Sequence, residues 1–379
     1  MKKISLSFDD SLIISRLQQK ELAQIKPGLR LSHSLAPMEK VTFDPLAYNL
    51  PIKIALSLNT IGTKIISAHV ERGFYYQELE ERLQTLPYAS ALQAIALLNL
   101  KTPIFYQLAL TRAMETLCAL TIEPELELLR SWALSYARVY HHVQVVSDIL
   151  LCLELDSLND LASTASSMMK PLADVITRIH TTSSELSQIG DFSNLLENLE
   201  NLFQELEAGL NFESNARLIM RKKAVVTLSM AASFGLSGIY LRANRSVFDS
   251  SFGAMDGPPL EISEGGDAWA RFYLRVLDMK SCIEWLKNTN ITGFQALRDS
   301  RDLKLRQAVH PFAFGEVSGP EGDIKISIFL DKNQEPRFYL RSPAYFIAQA
   351  LPHLLAQADL SDLPWILYSL GISAEEIDK

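Results

Sequence analysis

The stretch that decides the fold reads Gly235-Leu236-Ser237-Gly238-Ile239-Tyr240-Leu241-Arg242-Ala243, then Gly265-Gly266-Asp267-Ala268-Trp269-Ala270-Arg271, with Arg275 and Met279 behind it. Two glycine turns are each followed at short range by an arginine, and residues 235–279 contain no cysteine or histidine. Because a buried guanidinium is costly unless it is paired, Arg242 and Arg271 must meet carboxylates or a partner. Candidate carboxylates are Asp267, Glu264 and Glu316, and either a structural salt bridge or a role at a site remains open.

The composition is that of an ordinary, mildly acidic globular protein. The chain has 379 residues, 48% of them hydrophobic, and a formal net charge of −8. This length allows one large core or two domains. Basic residues are not interleaved with aromatic ones along one face, which argues against nucleic-acid binding.

The three cysteines, Cys118, Cys152 and Cys282, are far apart and form no C-x-x-C pair. This pattern argues against a zinc site, a cysteine-held cluster and a disulfide framework. No run of about 18 apolar residues occurs, so no membrane-spanning helix is expected.

Two regions alternate between apolar and polar residues, as strands with one buried face do. Residues 52–58 and 64–70 flank a turn at 59–62, which predicts a first hairpin. Residues 324–330 and 337–341 predict a second hairpin near the other end of the chain.

Helical periodicity dominates the rest of the sequence. It covers residues 74–86, 89–100, 103–120, 124 to about 158, 168–179, 193–210 and 267 to about 287. A Ser/Thr-rich break is expected before residue 168, and Ser342 is expected to cap a last helix that begins with Pro343.

These elements predict an α+β fold, mostly α, because long antiparallel helices bury their apolar faces in a bundle. The bundle is central and is flanked by small antiparallel β-hairpins at the N- and C-terminal sides. Residues 1–48 are expected to be an N-terminal extension and residues 49–379 a single domain.

A set of short motifs follows in order along residues 50–379. They are Gly73-Phe74-Tyr75-Tyr76-Gln77-Glu78-Leu79-Glu80, the two glycine–arginine segments, Glu316-Val317-Ser318-Gly319-Pro320-Glu321-Gly322, and Arg341-Ser342-Pro343-Ala344-Tyr345-Phe346. In order and spacing they resemble the family that contains the nickel–iron hydrogenase large subunits and the D subunit, or quinone-pocket subunit, of complex I, the NADH:quinone oxidoreductase. The resemblance implies a hydrogenase-large-subunit-like fold.

The departures from that family bear on the chemistry. The hydrogenases hold nickel and iron with two C-x-x-C pairs, which are missing here, so hydrogenase activity is excluded and no metal site is expected. Complex I lines its quinone pocket with a histidine, where residues 45–51 of this chain have none, and with a tyrosine that falls near Ala96. Tyr88 is the nearest phenol, and the aspartate behind the histidine falls near Cys152. Because quinone reduction needs proton donors, these losses count against ordinary quinone chemistry.

The resemblance leaves two main functions open. The first is a component of a complex-I-like or energy-converting-hydrogenase-like oxidoreductase, which forms one wall of a quinone or electron-acceptor cavity beside an iron–sulfur small subunit. The second is a catalytically silent structural scaffold in such a complex, and an unrelated helical adaptor is a weaker third. Whether the chain is itself an enzyme stays open.

The expected partners are an iron–sulfur small subunit, a protein like the C subunit of complex I, and a membrane-embedded subunit. The iron–sulfur cluster would belong to a partner, quinone is the implied ligand, and this chain would bind no cofactor of its own. The expected location is the cytoplasmic face of the inner membrane.

The resemblance also marks residues as lining a cavity or facing a partner, and none of them is assigned a catalytic role. Arg138 and His142 match an Arg-x-x-x-His pattern, with a plain helix-surface pair as the alternative. Arg178 and His180 resemble a segment that faces the cluster-bearing partner. The remaining candidates are Arg242, Asp267, Arg271 and Glu316.

Overall fold

A computed structural model of the protein describes residues 38–43, 54–176, 192–245, 257–289 and 308–378. This part of the chain is mostly helical, with two small antiparallel sheets of three strands each. The α+β class is therefore confirmed, while the domain division stays a prediction.

The first sheet has the order β1 (Glu39–Phe43), β2 (Ala55–Ile61) and β3 (Lys64–Glu71). The hairpin of β2 and β3 was predicted and is confirmed, with Leu56 and Leu58 completely buried on its inner face. Strand β1 was not predicted; it lies inside the segment expected to be an extension and pairs antiparallel with β2.

Helix α1 (Leu79–Leu83) is much shorter than the predicted helix over residues 74–86. The backbone N–H groups of Gly73 and Tyr75 donate to the Asp378 carboxylate, at 2.7 and 3.0 Å. Glu78 then takes a left-handed φ of 52°. The prediction was wrong here because a contact with the far end of the chain replaces the first helical turn. Helices α2 (Tyr88–Ala96) and α3 (Ile104–Leu117) follow.

Helices α4 (Pro124–Cys152), α5 (Asp156–Ile176) and α6 (Ser193–Phe212) build the predicted bundle. The short helices α7 (Ser214–Met220), α8 (Leu228–Phe234) and α9 (Ile239–Arg242) lead to α10 (Ala268–Asn288), which packs against α4 and α6. Helix α6 was predicted over residues 193–210. Its leucine stripe faces inward, with a buried centre formed by Leu196, Leu199, Phe203, Leu206 and Leu210.

The break between α4 and α5 lies at residues 153–155, not in the Ser/Thr-rich segment. Glu154 takes a left-handed φ of 57°, and the Leu155 N–H donates to the Leu150 carbonyl at 3.0 Å. Helix α5 continues through the Ser/Thr-rich segment because Ala162, Ala165 and Met169 keep a buried stripe at helical spacing.

The second sheet has the order β4 (Phe312–Ser318), β5 (Asp323–Leu330) and β6 (Pro336–Arg341). Its β5–β6 hairpin was predicted, and its inner face packs on α3. Helices α11 (Pro343–Leu355), α12 (Leu363–Ser369) and α13 (Ala374–Ile377) complete the described chain. Ser342 precedes α11 as predicted but its side chain does not cap the helix, because its hydroxyl accepts a hydrogen bond from the Tyr106 hydroxyl at 3.0 Å.

All three cysteines are free. Burial raises the pKa of the Cys282 thiol to about 12. Within the described ranges, no helix is both long enough and apolar enough to cross a bilayer.

The left-handed backbone at Glu154 provides a test of where α4 ends. Glu154→Gly should raise the free energy of unfolding by up to about 1 kcal/mol, since glycine takes this conformation without the steric cost of a side chain. Urea unfolding is the measurement, and Glu154→Ala is the control that should give no such gain. A loss of stability in the glycine variant would contradict the helix end described here.

Candidate functional site

The first glycine–arginine segment ends in an enclosed ion pair. Arg242 of α9 and Asp278 of α10 are both completely buried. The two guanidinium nitrogens lie 2.8 and 2.7 Å from the two carboxylate oxygens. Burial alone would raise the pKa of the Asp278 carboxyl, but the positive charge of Arg242 and its hydrogen bonds hold it well below its ordinary value. The pair is therefore ionised and ties α9 to α10.

A second buried pair joins α10 to the β4–β5 turn. Arg275 Nη2 lies 2.6 Å from Glu321 Oε2, and His141 Nε2 of α4 lies 2.8 Å from Glu321 Oε1. Burial opposes ionisation of Glu321, but the Arg275 charge and the His141 hydrogen bond lower its pKa to about 2. Glu321 thus connects three elements while carrying a full negative charge.

His142 lies beside the first pair but adds no charge to it. Its Nε2 is 3.5 Å from Asp278 Oδ2, which is long for a hydrogen bond. Burial lowers the pKa of His142 to about 3, despite the opposing effect of Asp278, so the imidazole is neutral. Its ring meets the ring of His141 edge-on, with centroids 5.9 Å apart. The two histidines place both buried pairs against α4.

Arg271 is also completely buried, but its hydrogen-bond partners are neutral. Its guanidinium donates to the carbonyls of Ala224 and Gly266, at 3.0 and 2.9 Å, and to the Ser369 hydroxyl at 3.3 Å. It also lies over the Tyr240 ring, 5.7 Å from the centroid. Burial lowers the pKa of Arg271 to about 10, so it remains charged at neutral pH.

The sequence analysis suggested Asp267, Glu264 and Glu316 as partners of Arg242 or Arg271, and this prediction was wrong. Asp267 caps α10, accepting from the Ala270 N–H at 2.9 Å. Glu264 pairs with exposed Arg245 at 2.9 Å, and the carboxylate of Glu316 lies 3.5 Å from Lys325 Nζ.

Two glycines are required where the buried pairs bring backbones together. Gly238 has a φ of 62°, and a Cβ built on it would lie 2.6 Å from the Gly322 Cα. Gly371 has a φ of 64°, and a Cβ there would lie 2.1 Å from a carboxylate oxygen of Glu321. A larger residue at either position would push the β4–β5 turn away from its arginine.

Arg138 and His142 are one turn apart on α4 but contact different parts of the protein. His142 lies beside Asp278, whereas Arg138 contacts β4 and the turn after it. Its guanidinium donates to the Ser318 and Gly319 carbonyls, at 2.8 and 3.2 Å, and to the Ser318 hydroxyl at 3.2 Å. Arg138 and Glu316 both line a cavity of about 300 Å³ between α4 and β4. The structure thus brings these two candidates together, whereas Arg178 and His180 lie outside the described residues.

A second ionic cluster lies next to this cavity and was not predicted. Arg130 and Glu115 are buried and joined by contacts of 2.5 and 3.0 Å. Glu127 bridges Arg130 at 2.6 Å and Arg112 at 2.8 Å. Arg112 also donates to the backbone carbonyl of Glu316 at 3.0 Å, which anchors β4 to α3.

Sequence reasoning also missed Asp278 as the partner of Arg242. Arg271, Arg275 and Asp278 recur at i, i+4 and i+7 on α10, a spacing that puts them on one helix face. Charged residues on the same helix face as Phe272, Leu274 and Met279, which α10 buries, were the available signal.

Of the residues compared above with the quinone-pocket residues of complex I, Tyr88 and Cys152 lie among the described residues. The Tyr88 hydroxyl makes a hydrogen bond of 2.8 Å with the Thr111 hydroxyl of the same chain. Burial raises the pKa of the Cys152 thiol to about 12. The segment at 45–51 falls outside the described residues.

Glu376 of α13 is a further buried carboxyl that sequence reasoning missed. It accepts a hydrogen bond from Asn99 Nδ2 at 2.7 Å. Burial raises the pKa of Glu376 to about 8 against the lowering effect of Asn99, and the charge of Glu321 adds to the rise. Glu376 is therefore mainly protonated at neutral pH.

The Arg242–Asp278 pair gives a test of stability. Arg242→Met alone should lower the free energy of unfolding by about 3–5 kcal/mol, because it leaves a buried carboxylate without its counter-charge. Adding Asp278→Leu should restore part of that loss, since no unpaired charge remains. Urea unfolding of Arg242→Met, Asp278→Leu and the double variant is the measurement, and a loss in the double variant equal to the sum of the two single losses would contradict the pairing.

Glu376 gives a test of pH dependence. Its folded pKa lies above its ordinary value near 4.5, so its contribution to stability is full below that pH and is lost as the pH rises towards 8. The stability of the wild type relative to Glu376→Gln should fall by up to about 1.4 kcal/mol per pH unit in this window and level off above it. Unfolding free energies of the two proteins across the window measure this difference, and a constant difference would contradict a buried neutral carboxyl.

Comparisons with known proteins agree with the motif pattern. No family model matches the chain. The D subunit of the NADH-quinone oxidoreductase of Carboxydothermus hydrogenoformans is 22% identical over 351 residues, which cover 86% of this chain and 94% of the relative. The corresponding protein of Bacillus mycoides is 24% identical over 353 residues, covering 87% and 94%. The H subunit of a chloroplastic NAD(P)H-quinone oxidoreductase of Acorus calamus is 23% identical over 192 residues, covering 42% and 49%. The chain resembles the D subunits of the NADH-quinone oxidoreductases over most of its length.

Proposed function

We propose that the chain is the counterpart of the D subunit in a complex-I-like, membrane-attached oxidoreductase. The observation that carries this proposal is the end-to-end likeness to the D subunits, which spans 94% of two such relatives. The two glycine–arginine segments and the β4–β5 turn, which carry the motif likeness, also meet in one ion-paired core. This is the arrangement expected if the motifs mark a shared fold of the hydrogenase-large-subunit type.

In this proposal the chain forms one wall of a quinone or electron-acceptor cavity beside an iron–sulfur small subunit. Its place is the cytoplasmic face of the inner membrane, and its further neighbours are a C-subunit-like protein and a membrane-embedded subunit. Electron transfer needs cofactors, and the iron–sulfur cluster would come from the partner. The chain would contribute shape and position.

A structural scaffold without a catalytic role is the second candidate, and the placement of the arginines favours it. Arg242 and Arg271 are completely buried and make their hydrogen bonds inside the chain. Neither guanidinium is placed to touch a quinone held at the surface. The two functions differ in whether an acceptor binds against this chain.

The motif loop ahead of α1 offers a surface for a partner protein. Phe74 and Tyr76 are about half exposed, at 49% and 55%. The backbone between them is held by Asp378, so the loop presents these aromatic rings from a defined position. Exposed aromatic side chains on a fixed backbone are typical of the energetic centre of an interface.

The partner proposal is tested by purifying the tagged full chain from membranes and identifying what accompanies it. An iron–sulfur protein and a membrane-embedded subunit should copurify. Phe74→Ser together with Tyr76→Ser should reduce their recovery several-fold, because the variant loses apolar contact area. Phe212→Ser is the matched control, since Phe212 is 88% exposed at the end of α6, outside this loop. Recovery of the chain alone would overturn the proposal.

Removal of the chain from the complex distinguishes a role as one wall of the acceptor cavity from a role as a structural scaffold. If the remaining subunits still assemble but lose electron transfer to quinone, the chain is part of the acceptor site. If they no longer assemble, the scaffold role is supported.

A further inference from the structure

The cavity between α4 and β4 has walls of two kinds. Helix α4 contributes Ser131, Leu134, Ser135 and Arg138, which recur at i, i+3, i+4 and i+7 and so share one face. The remaining described residues that line the cavity come from α3, the segment before α10 and strand β4, and they are Arg112, Gly257, Pro258, Leu260, Glu316 and Ser318. A volume of about 300 Å³ lies at the lower end of the range for small-molecule sites.

Arg138 differs from the other cations around this cavity. Arg112 pairs with Glu127, Arg130 pairs with Glu115, and Lys325 lies near Glu316, so each of those charges has a carboxylate partner. Arg138 is only 6% exposed, and all its hydrogen bonds among the described residues go to neutral carbonyl and hydroxyl oxygens. A guanidinium on a cavity wall that has no carboxylate partner among the described residues attracts an anion, because an anion supplies the counter-charge and accepts charge-assisted hydrogen bonds.

We propose that this cavity binds a small carboxylate ligand with a short apolar stem. The carboxylate would accept hydrogen bonds from the Arg138 side of the cavity. The stem would lie against Leu134, Pro258 and Leu260, which form the apolar wall. Glu316 limits the affinity, because its carboxylate on the same cavity repels a bound anion. This inference does not rest on the proposed oxidoreductase function, since it uses only groups within this chain.

Hexanoate is a suitable probe, with neutral hexanamide and inorganic phosphate as comparison ligands. Calorimetric titration of the full wild-type chain should show saturable one-to-one binding of hexanoate at millimolar concentration or below. Hexanamide should bind about tenfold more weakly, because it lacks the charge that Arg138 recognises. Phosphate should bind more weakly than hexanoate, because it leaves the apolar wall empty.

Variants of the two opposing charges should change the affinity in opposite directions. Arg138→Gln should weaken hexanoate binding about tenfold, and Glu316→Gln should strengthen it about threefold. Glu316 is partly exposed and is not part of the buried ion pairs, so its variant should fold normally. Opposite effects from two residues of one cavity are not explained by general loss of structure.

A second variant keeps the test informative if Arg138→Gln fails to fold. Ser131→Glu places a carboxylate on the same face of α4, and it should weaken hexanoate binding about tenfold. Ser131→Gln has nearly the same volume without the charge and should retain binding. The proposal is overturned by absence of saturable hexanoate binding, by equal binding of hexanamide, by preference for phosphate, or by equal effects of the two Ser131 variants.

Discussion

Two buried arginine–carboxylate pairs, Arg242–Asp278 and Arg275–Glu321, hold together segments that are far apart in the sequence. Taking a charge out of water costs several kcal/mol, and the cost is recovered only when each ion meets its partner at good geometry. Each pair includes a residue of α10. The position of α10 along its axis and its rotation about that axis are therefore fixed relative to α9, α4 and the β4–β5 turn. His141 adds a hydrogen bond to Glu321 from α4, and neutral His142 lies beside Asp278 without adding a charge that would also need a partner. The positions of four elements thus follow from the requirement that these charges be satisfied.

The same requirement explains two glycines, Gly238 of the opening motif and Gly371 near the end of the chain. A short ion pair between a helix and a turn needs their backbones to approach closely. A side chain at position 238 would collide with the backbone of Gly322, and a side chain at position 371 would collide with the Glu321 carboxylate. Both glycines also have positive φ values, which other residues adopt at a cost. Gly238, Arg242 and Arg275 thus each have a structural reason in the contacts of these pairs.

Much of the fold could be predicted from periodicity, because the β2–β3 hairpin, the β5–β6 hairpin and the leucine stripe of α6 each bury one regular face. Local signals failed where a distant residue decided the local structure. Asp378 takes the backbone N–H groups that would have opened a longer α1, and Tyr106 occupies the hydroxyl of Ser342. The site was harder to predict for a related reason. Nearness in the sequence favoured Asp267 as an arginine partner, but Asp267 is used for capping. Asp278 could have been found only by placing the charges of α10 on a helical wheel.

The placement of charge also limits the chemistry available to the described part of the chain. A group that donates a proton or binds an acceptor must be within reach of it and free to change its contacts. Asp278 and Glu321 are held ionised by their arginines, His142 is held neutral by burial, and Arg242 and Arg271 are enclosed. A change of protonation at any of these positions would break contacts that the fold depends on. Arg138 makes its described hydrogen bonds to neutral oxygens and borders a cavity, so it can gain a ligand without losing an ion pair. Binding of a ligand at Arg138 is therefore compatible with the buried ion pairs, whereas a change of protonation at Asp278, Glu321 or His142 is not.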